Sequence, residues 1–296
     1  MRINIKDLYN WCSVPARQLV NHPALKIPFR MVDNSEEMGE VMARDFVDAI
    51  KSAGGNRFRA IVPCGPKCWY APFTRMINDE KVSLKNVTIF HMDECLNWEA
   101  KLLPKNHPYN FRTFMEKNFY DGIDTSLAVP GKQRFFPEPS SIEIIKNKIA
   151  EAPIDITVGG WGQDGHVAYN QSRRNAYSEL SIEQLRNSEL RIQENNSDTI
   201  IALAHRTFGA AYQFVPPMSI TLGMKECLSA KKIRLYSDTG AWKQTALRVA
   251  LFSEETAEYP ITLLQSHPDA LLTATFETAS HPVAENADWQ FEGVNA

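Results

Sequence analysis

Asp164, His166, Asn170 and Gln171 stand within eight residues of one another, directly behind a short β-branched run that begins at Ile154. Histidine titrates near neutrality and exchanges protons, and a carboxylate two positions away can fix which ring nitrogen carries the hydrogen. The run reads Ile154-Asp-Ile-Thr-Val158 and predicts a buried strand. It leads into Gly159, Gly160, Gly162 and Gly165, which let the backbone approach a ligand closely. The competing reading is a tight turn with a polar tip, which needs fewer glycines and no histidine. A second acidic site follows the strand expected at Val87–Phe90, in His91-Met-Asp-Glu-Cys95. Asp93 and Glu94 are adjacent, so in extended backbone only one of them can face a given pocket. A third candidate is Cys64-Gly-Pro-Lys-Cys68, between a strand expected at Phe58–Val62 and a helix over 69–78. Strand, glycine loop and helix N-terminus together make an anion-binding arrangement, since free amides and the helix dipole point at the same spot.

Alternating strands and helices must carry these loops. Asn34 and Glu37 resemble a capping box, and Met38, Met42, Phe46, Ala49 and Ile50 line one face of a helix that ends before Gly54-Gly55. His107-Pro108 opens an expected helix with Phe111, Phe114, Met115 and Phe119 inside, and another is expected over 141–150. Later strands are expected at 199–203, 218–222, 233–236 and 271–275, with helices at 206–213, 242–252 and 260–265. This order predicts an α/β, doubly wound, mostly parallel sheet with helices on both faces, Rossmann-like and single-domain. Residues 1–30 are expected to form an N-terminal extension with a short helix near 5–11, and residues 31–296 the α/β domain. The polar stretch Ser172 to Ser197 is the expected lid or interface segment.

With 296 residues, 44% hydrophobic and 23% charged, the chain has ample material for a folded core. A net charge of −3 gives no bulk attraction to nucleic acid or an anionic membrane, so an anionic ligand needs local cations. Five cysteines, an odd number, favour a reducing compartment, and Cys64 and Cys68 lack the partners of a zinc site. No apolar run suits a signal peptide or a membrane span, so a cytoplasmic location is expected.

Taken together, Val62-Pro-Cys-Gly65, Phe90-His-Met-Asp-Glu94, His107-Pro108, Gly159-Gly-Trp-Gly-Gln-Asp-Gly-His-Val-Ala-Tyr-Asn170 and Ser237-Asp-Thr-Gly-Ala-Trp-Lys243 resemble the glucosamine-6-phosphate deaminase/isomerase family. That superfamily is shared with the 6-phosphogluconolactonases. The resemblance runs from about Met31 to Thr278. It implies ring opening of an amino-sugar phosphate, proton transfer from C2 to C1 and release of ammonia, without metal or organic cofactor. Asp93 then resembles the base at C2, His166 the ring-opening group and Asp164 its orienting partner. Lys243 resembles the phosphate lysine and Arg206 its arginine, with Gly65, Lys67 and Glu94 as further substrate contacts. Relatives range from monomers to hexamers, which leaves a homo-oligomer open.

Three positions depart from the family pattern. Gln171 stands where deaminases carry a glutamate that assists the histidine, and an amide cannot exchange that proton. Pro66 removes an amide donor from the phosphate loop, and Lys67 either replaces it with a charge or faces solvent. The serine after His-Pro is absent, with Tyr109, Asn110 and Phe111 in that region. A lactone hydrolase and a non-catalytic sugar-phosphate sensor are the alternatives.

Overall fold

The computed structural model describes residues 3–172, 179–286, 288–292 and 294 of the chain. Its strands are β1 (Phe29–Val32), β2 (Phe58–Val62), β3 (Val87–His91), β4 (Asp93–Leu96), β5 (Arg134–Phe135), β6 (Ile156–Gly159), β7 (Arg191–Glu194), β8 (Met218–Thr221), β9 (Lys232–Ser237) and β10 (Ala270–Thr275). Seven form one sheet in the order β1-β10-β9-β6-β2-β3-β5, and every pairing in it is parallel. The chain builds outward from β2 through β3 to β5, then returns to place β6 on the other side of β2. That reversal leaves a crevice beyond the carboxyl ends of β2 and β6, where open α/β sheets take ligands.

Strand alternation explains why both faces are covered. Phe58, Ala60 and Val62 of β2, with Val87 and Ile89 of β3, pack against Met38, Met42 and Phe46 of the helix Ser35–Ser52 and Phe73 of the helix Tyr70–Asp79. Ile61 and Phe90 point the other way, onto Ile145 and Ile149 of the helix Ile142–Ala150. Farther along that face, Ile233, Leu235 and Leu272 meet Leu247 and Leu251 of the helix Gln244–Phe252. A sheet buried on both sides needs these near-continuous apolar strands.

The expected helix at the N-terminus is present as Ile5–Cys12. Cys12, Ala16, Leu19 and Ile27 are buried, and the buried guanidinium of Arg248 donates to the Val14 carbonyl at 2.9 Å and the Ala279 carbonyl at 2.6 Å. Phe29 and Arg30, on the extension's side of the expected boundary, already belong to β1. Among the described residues, no helix is long and apolar enough to cross a membrane.

Several elements differ from expectation. Residues 199–203 form no strand: they lie in the helix Ser197–Thr207, whose buried Thr199, Ala202 and Ala204 follow a helical rather than an alternating spacing. The helix expected over 206–213 is therefore the end of this one, followed by a short 3-10 turn at Tyr212–Phe214. The helix after His107-Pro108 begins only at Phe111, because the Asn110 side chain accepts from the Thr113 amide at 2.9 Å and caps it there. A second, antiparallel sheet, β4-β8-β7, was not anticipated. The expected lid contains the helix Ile182–Arg186 and β7, while residues 173–178 of it lie outside the described residues.

Candidate active site

A cavity of about 780 Å³ opens at this crevice. The loop after β2 contributes Gly65 and Lys67 to its wall, β4 contributes Asp93, and the loop after β6 contributes His166. Arg206 enters from the helix Ser197–Thr207, and Lys243 from the turn after β9. Six of the nine residues singled out in the sequence thus line one cavity, although they are spread over nearly 180 positions.

The loop after β6 is built around the imidazole. Gly165 takes φ +74°, a left-handed conformation suited to glycine, and its amide donates to the Gly162 carbonyl at 3.0 Å. The Gly162 amide in turn donates to the His166 carbonyl at 2.9 Å. A methyl group on Gly162 would lie 2.1 Å from His166 Cε1, so only glycine leaves room for the ring. His166 Nδ1 sits 2.6 Å from Asp164 Oδ1, and the ring stacks on Tyr169 at 5.8 Å between centroids. A carboxylate can only accept, so Nδ1 carries the hydrogen and Nε2 is left as the basic nitrogen. Burial pulls the Asp164 carboxyl upward, but the His166 charge and hydrogen bonds outweigh it and hold the group below its ordinary value. Asp164 is itself buried outside the cavity wall, which fits an orienting rather than a contacting group.

Asp93 and Glu94 divide as adjacent strand residues must. Asp93 faces the cavity, and its carboxyl is pushed up to about 7, chiefly by burial and then by the neighbouring Glu94, with His166 opposing. Glu94 corrects an expectation: it makes no part of the cavity wall. Its oxygens accept from the amides of Phe111 at 2.8 Å and Arg112 at 2.7 Å, so it caps the helix Phe111–Met115 instead of a substrate. Burial pushes its carboxyl to about 7 as well, opposed by these amide bonds.

Gln171 is a second correction. Its amide donates to Thr199 Oγ1 and accepts from the Asn196 amide at 2.9 Å, and it is buried away from the cavity. Both ends of the side chain are occupied in anchoring the helix Ser197–Thr207, on the far side of the cavity wall. The strand expected at 199–203 hid this contact, in which Thr199 belongs to the first turn of the helix Ser197–Thr207.

Lys243 is lowered to about 8 by burial and by the Arg206 charge, with Asp238 opposing. Lys67 places Nζ 3.8 Å over the Phe114 ring. Tyr109, Trp161 and Asp238 also line the cavity; the sequence places Trp161 and Asp238 inside motifs and Tyr109 after His107-Pro108 without giving any of them a role, because an aromatic or acidic residue carries no spacing signal of its own. Burial pushes the Cys64 thiol up and Cys68 to about 12, so neither is a thiolate nucleophile at neutral pH. Among the described residues, no cluster of three His, Cys, Asp or Glu side chains is arranged to hold a metal ion.

No family model matches the chain. Curated relatives do. A glucosamine-6-phosphate deaminase of Aliivibrio fischeri (strain MJ11) is 30% identical over 249 residues, covering 81% of this chain and 87% of that protein. One from Phocaeicola vulgatus is 33% identical over 210 residues, covering 70% and 73% respectively. Among solved structures, a monomeric glucosamine-6-phosphate deaminase superposes with a TM-score of 0.71 at 23% identity, covering 85% of this chain and 98% of that one. A 6-phosphogluconolactonase from Trypanosoma brucei gives 0.60 at 14% identity, covering 86% and 98%. At these identities the superpositions speak for the shared fold.

Proposed function

The chain belongs to the glucosamine-6-phosphate deaminase family, and on that premise we propose that it converts an amino-sugar 6-phosphate into the ketose 6-phosphate with release of ammonia. The observation that carries this reading is the meeting of Asp93 and His166 in one cavity with Lys243 and Arg206. His166 Nε2 takes the proton of the anomeric hydroxyl and returns it to the ring oxygen, which opens the ring. Asp93 then removes the proton from C2 and delivers it to C1, so the C2–N bond gains imine character. Water adds at C2 and ammonia leaves, giving one water consumed and one ammonia released per ketose. Asp93 suits its step because a carboxyl near 7 is about half ionised at neutral pH, and its carboxylate is basic enough to take a weakly acidic proton. Lys243 and Arg206 grip the phosphate, an interaction that a protein of net charge −3 must concentrate locally.

The test is to incubate the purified protein with glucosamine 6-phosphate, galactosamine 6-phosphate and 6-phosphogluconolactone, following ammonia, ketose phosphate and acid. Ammonia and ketose in equal amounts from an amino-sugar phosphate support the reading. Acid from the lactone alone overturns it in favour of hydrolysis.

A further inference from the structure

Arg206 reaches the cavity from the last turn of the helix Ser197–Thr207, and among the described residues it is in no ion pair. The place of that turn therefore decides where the guanidinium stands. The first turn is fastened to the loop after β6, because Thr199 Oγ1 accepts from Gln163 Nε2 at 3.0 Å and from the Gln171 amide. Thr207 stands farther along the axis by about 12 Å, at roughly 1.5 Å per residue. Ala202 and Ala204 are buried on the way, but Arg206 and Thr207 are exposed, so the far end needs a fastening of its own.

Tyr109 supplies it. Its hydroxyl lies 2.7 Å from Thr207 Oγ1, and its ring packs on Phe208, which closes the helix, at 5.7 Å between centroids. Tyr109 and Thr207 line the same cavity as Arg206. The tyrosine is held on a rigid mount: its amide donates to His107 Nδ1 at 3.1 Å, and the Asn110 amide group donates to the Leu103 carbonyl at 2.9 Å. Asn110 and Glu94 together cap the helix Phe111–Met115 that follows, and Glu94 is the strand neighbour of Asp93. We propose that Tyr109 is a positioning residue: through Thr207 and Phe208 it ties the last turn of the Arg206 helix to the mount beside Asp93, and so fixes the phosphate arginine relative to the C2 base. This rests on the reading that Arg206 contacts the phosphate. It gives a role to one departure from the family pattern, the Tyr109-Asn110-Phe111 run after His107-Pro108. A turn ordered before the substrate arrives spares binding the cost of ordering it.

Two substitutions remove only the bond between the hydroxyls, Tyr109→Phe and Thr207→Val. Calorimetric titration with inorganic phosphate needs no turnover. Each variant weakens phosphate binding by about two- to tenfold, the order of one neutral hydrogen bond, and the double variant is no weaker than either. With glucosamine 6-phosphate, KM rises by the same factor while kcat at saturation stays in place, since the grip on the phosphate is the same before and during reaction. In an Arg206→Met background, Tyr109→Phe has no further effect on phosphate affinity. An equal loss in that background means that the tyrosine touches the anion itself, and additive losses in the double variant mean that the two hydroxyls act separately; either result overturns the proposal. Weaker binding in Arg206→Met with none in Tyr109→Phe overturns the proposal alone. Unchanged affinity in Arg206→Met overturns the reading of that arginine and the proposal with it.

Discussion

His166 Nδ1 lies 2.6 Å from Asp164 Oδ1, and this bond decides which nitrogen of the ring carries the hydrogen. With Nδ1 protonated, Nε2 is the base of the proposed mechanism. Asp164→Asn can present either an amide hydrogen or a carbonyl to the ring, and it no longer stabilises the imidazolium. Loss of an oriented acid–base group costs about 10²–10⁴-fold in rate, so kcat should fall in that range while substrate affinity changes little. Steady-state kinetics with circular dichroism to verify folding make the check; an unchanged kcat would detach Asp164 from the histidine's function.

Gly162→Ala tests the same ring sterically. The added carbon would stand 2.1 Å from His166 Cε1, so the imidazole must leave its position. Expected are a folded protein and an activity loss as large as that of Asp164→Asn. Retained activity would mean the ring has another productive seat.

The pH dependence follows from two opposed shifts. In the proposed mechanism Asp93 acts as a carboxylate, and its pKa is raised to about 7, so kcat/KM should fall as pH drops through that value. Lys243 is proposed to act as an ammonium and is lowered to about 8, so kcat/KM should fall again above it. The free-enzyme profile is a narrow bell between these limits. Stability moves with the same carboxyl: its folded pKa lies above its ordinary 3.8, so its burial costs nothing below that pH and the full amount above about 7. Asp93→Asn should therefore raise Tm at pH 8 and leave it unchanged at pH 3. A lower Tm at pH 8 would reverse the assigned shift.

Gln171→Glu probes the departure from the family pattern. The side chain serves Thr199 and the Asn196 amide and does not reach the cavity. Since a general acid–base group is worth about 10²-fold or more, a gain of that size in kcat would place residue 171 in proton transfer. The geometry predicts a far smaller change.

What sequence could and could not reveal divides along physical lines. Phe58–Val62 and Val87–His91 are short, mostly apolar runs of strand length, and residues 35–52 carry a helical stripe behind Asn34, so their patterns have one reading. Thr199, Ile200 and Ile201 form a β-branched run that mimics a strand, yet tertiary packing of Thr199, Ala202 and Ala204 selects a helix. β7, Arg191–Glu194, is polar and four residues long and gives no alternation to detect. At the site, the pleat alone stated that one of Asp93 and Glu94 must turn away, but only the amides of Phe111 and Arg112 determine that it is Glu94. Gln171 was visible as a departure from the family pattern, whereas its engagement with Thr199 depended on the helix that the β-branched run concealed.

The most direct test of the central claim is the simultaneous release of ammonia and ketose phosphate from glucosamine 6-phosphate, measured for the wild type and for Asp93→Asn at pH 7.5. A wild type that forms both in a one-to-one ratio, beside a variant that binds the sugar phosphate and forms neither, is the predicted result. Equal turnover by the two proteins, or ketose formed without ammonia, would contradict it.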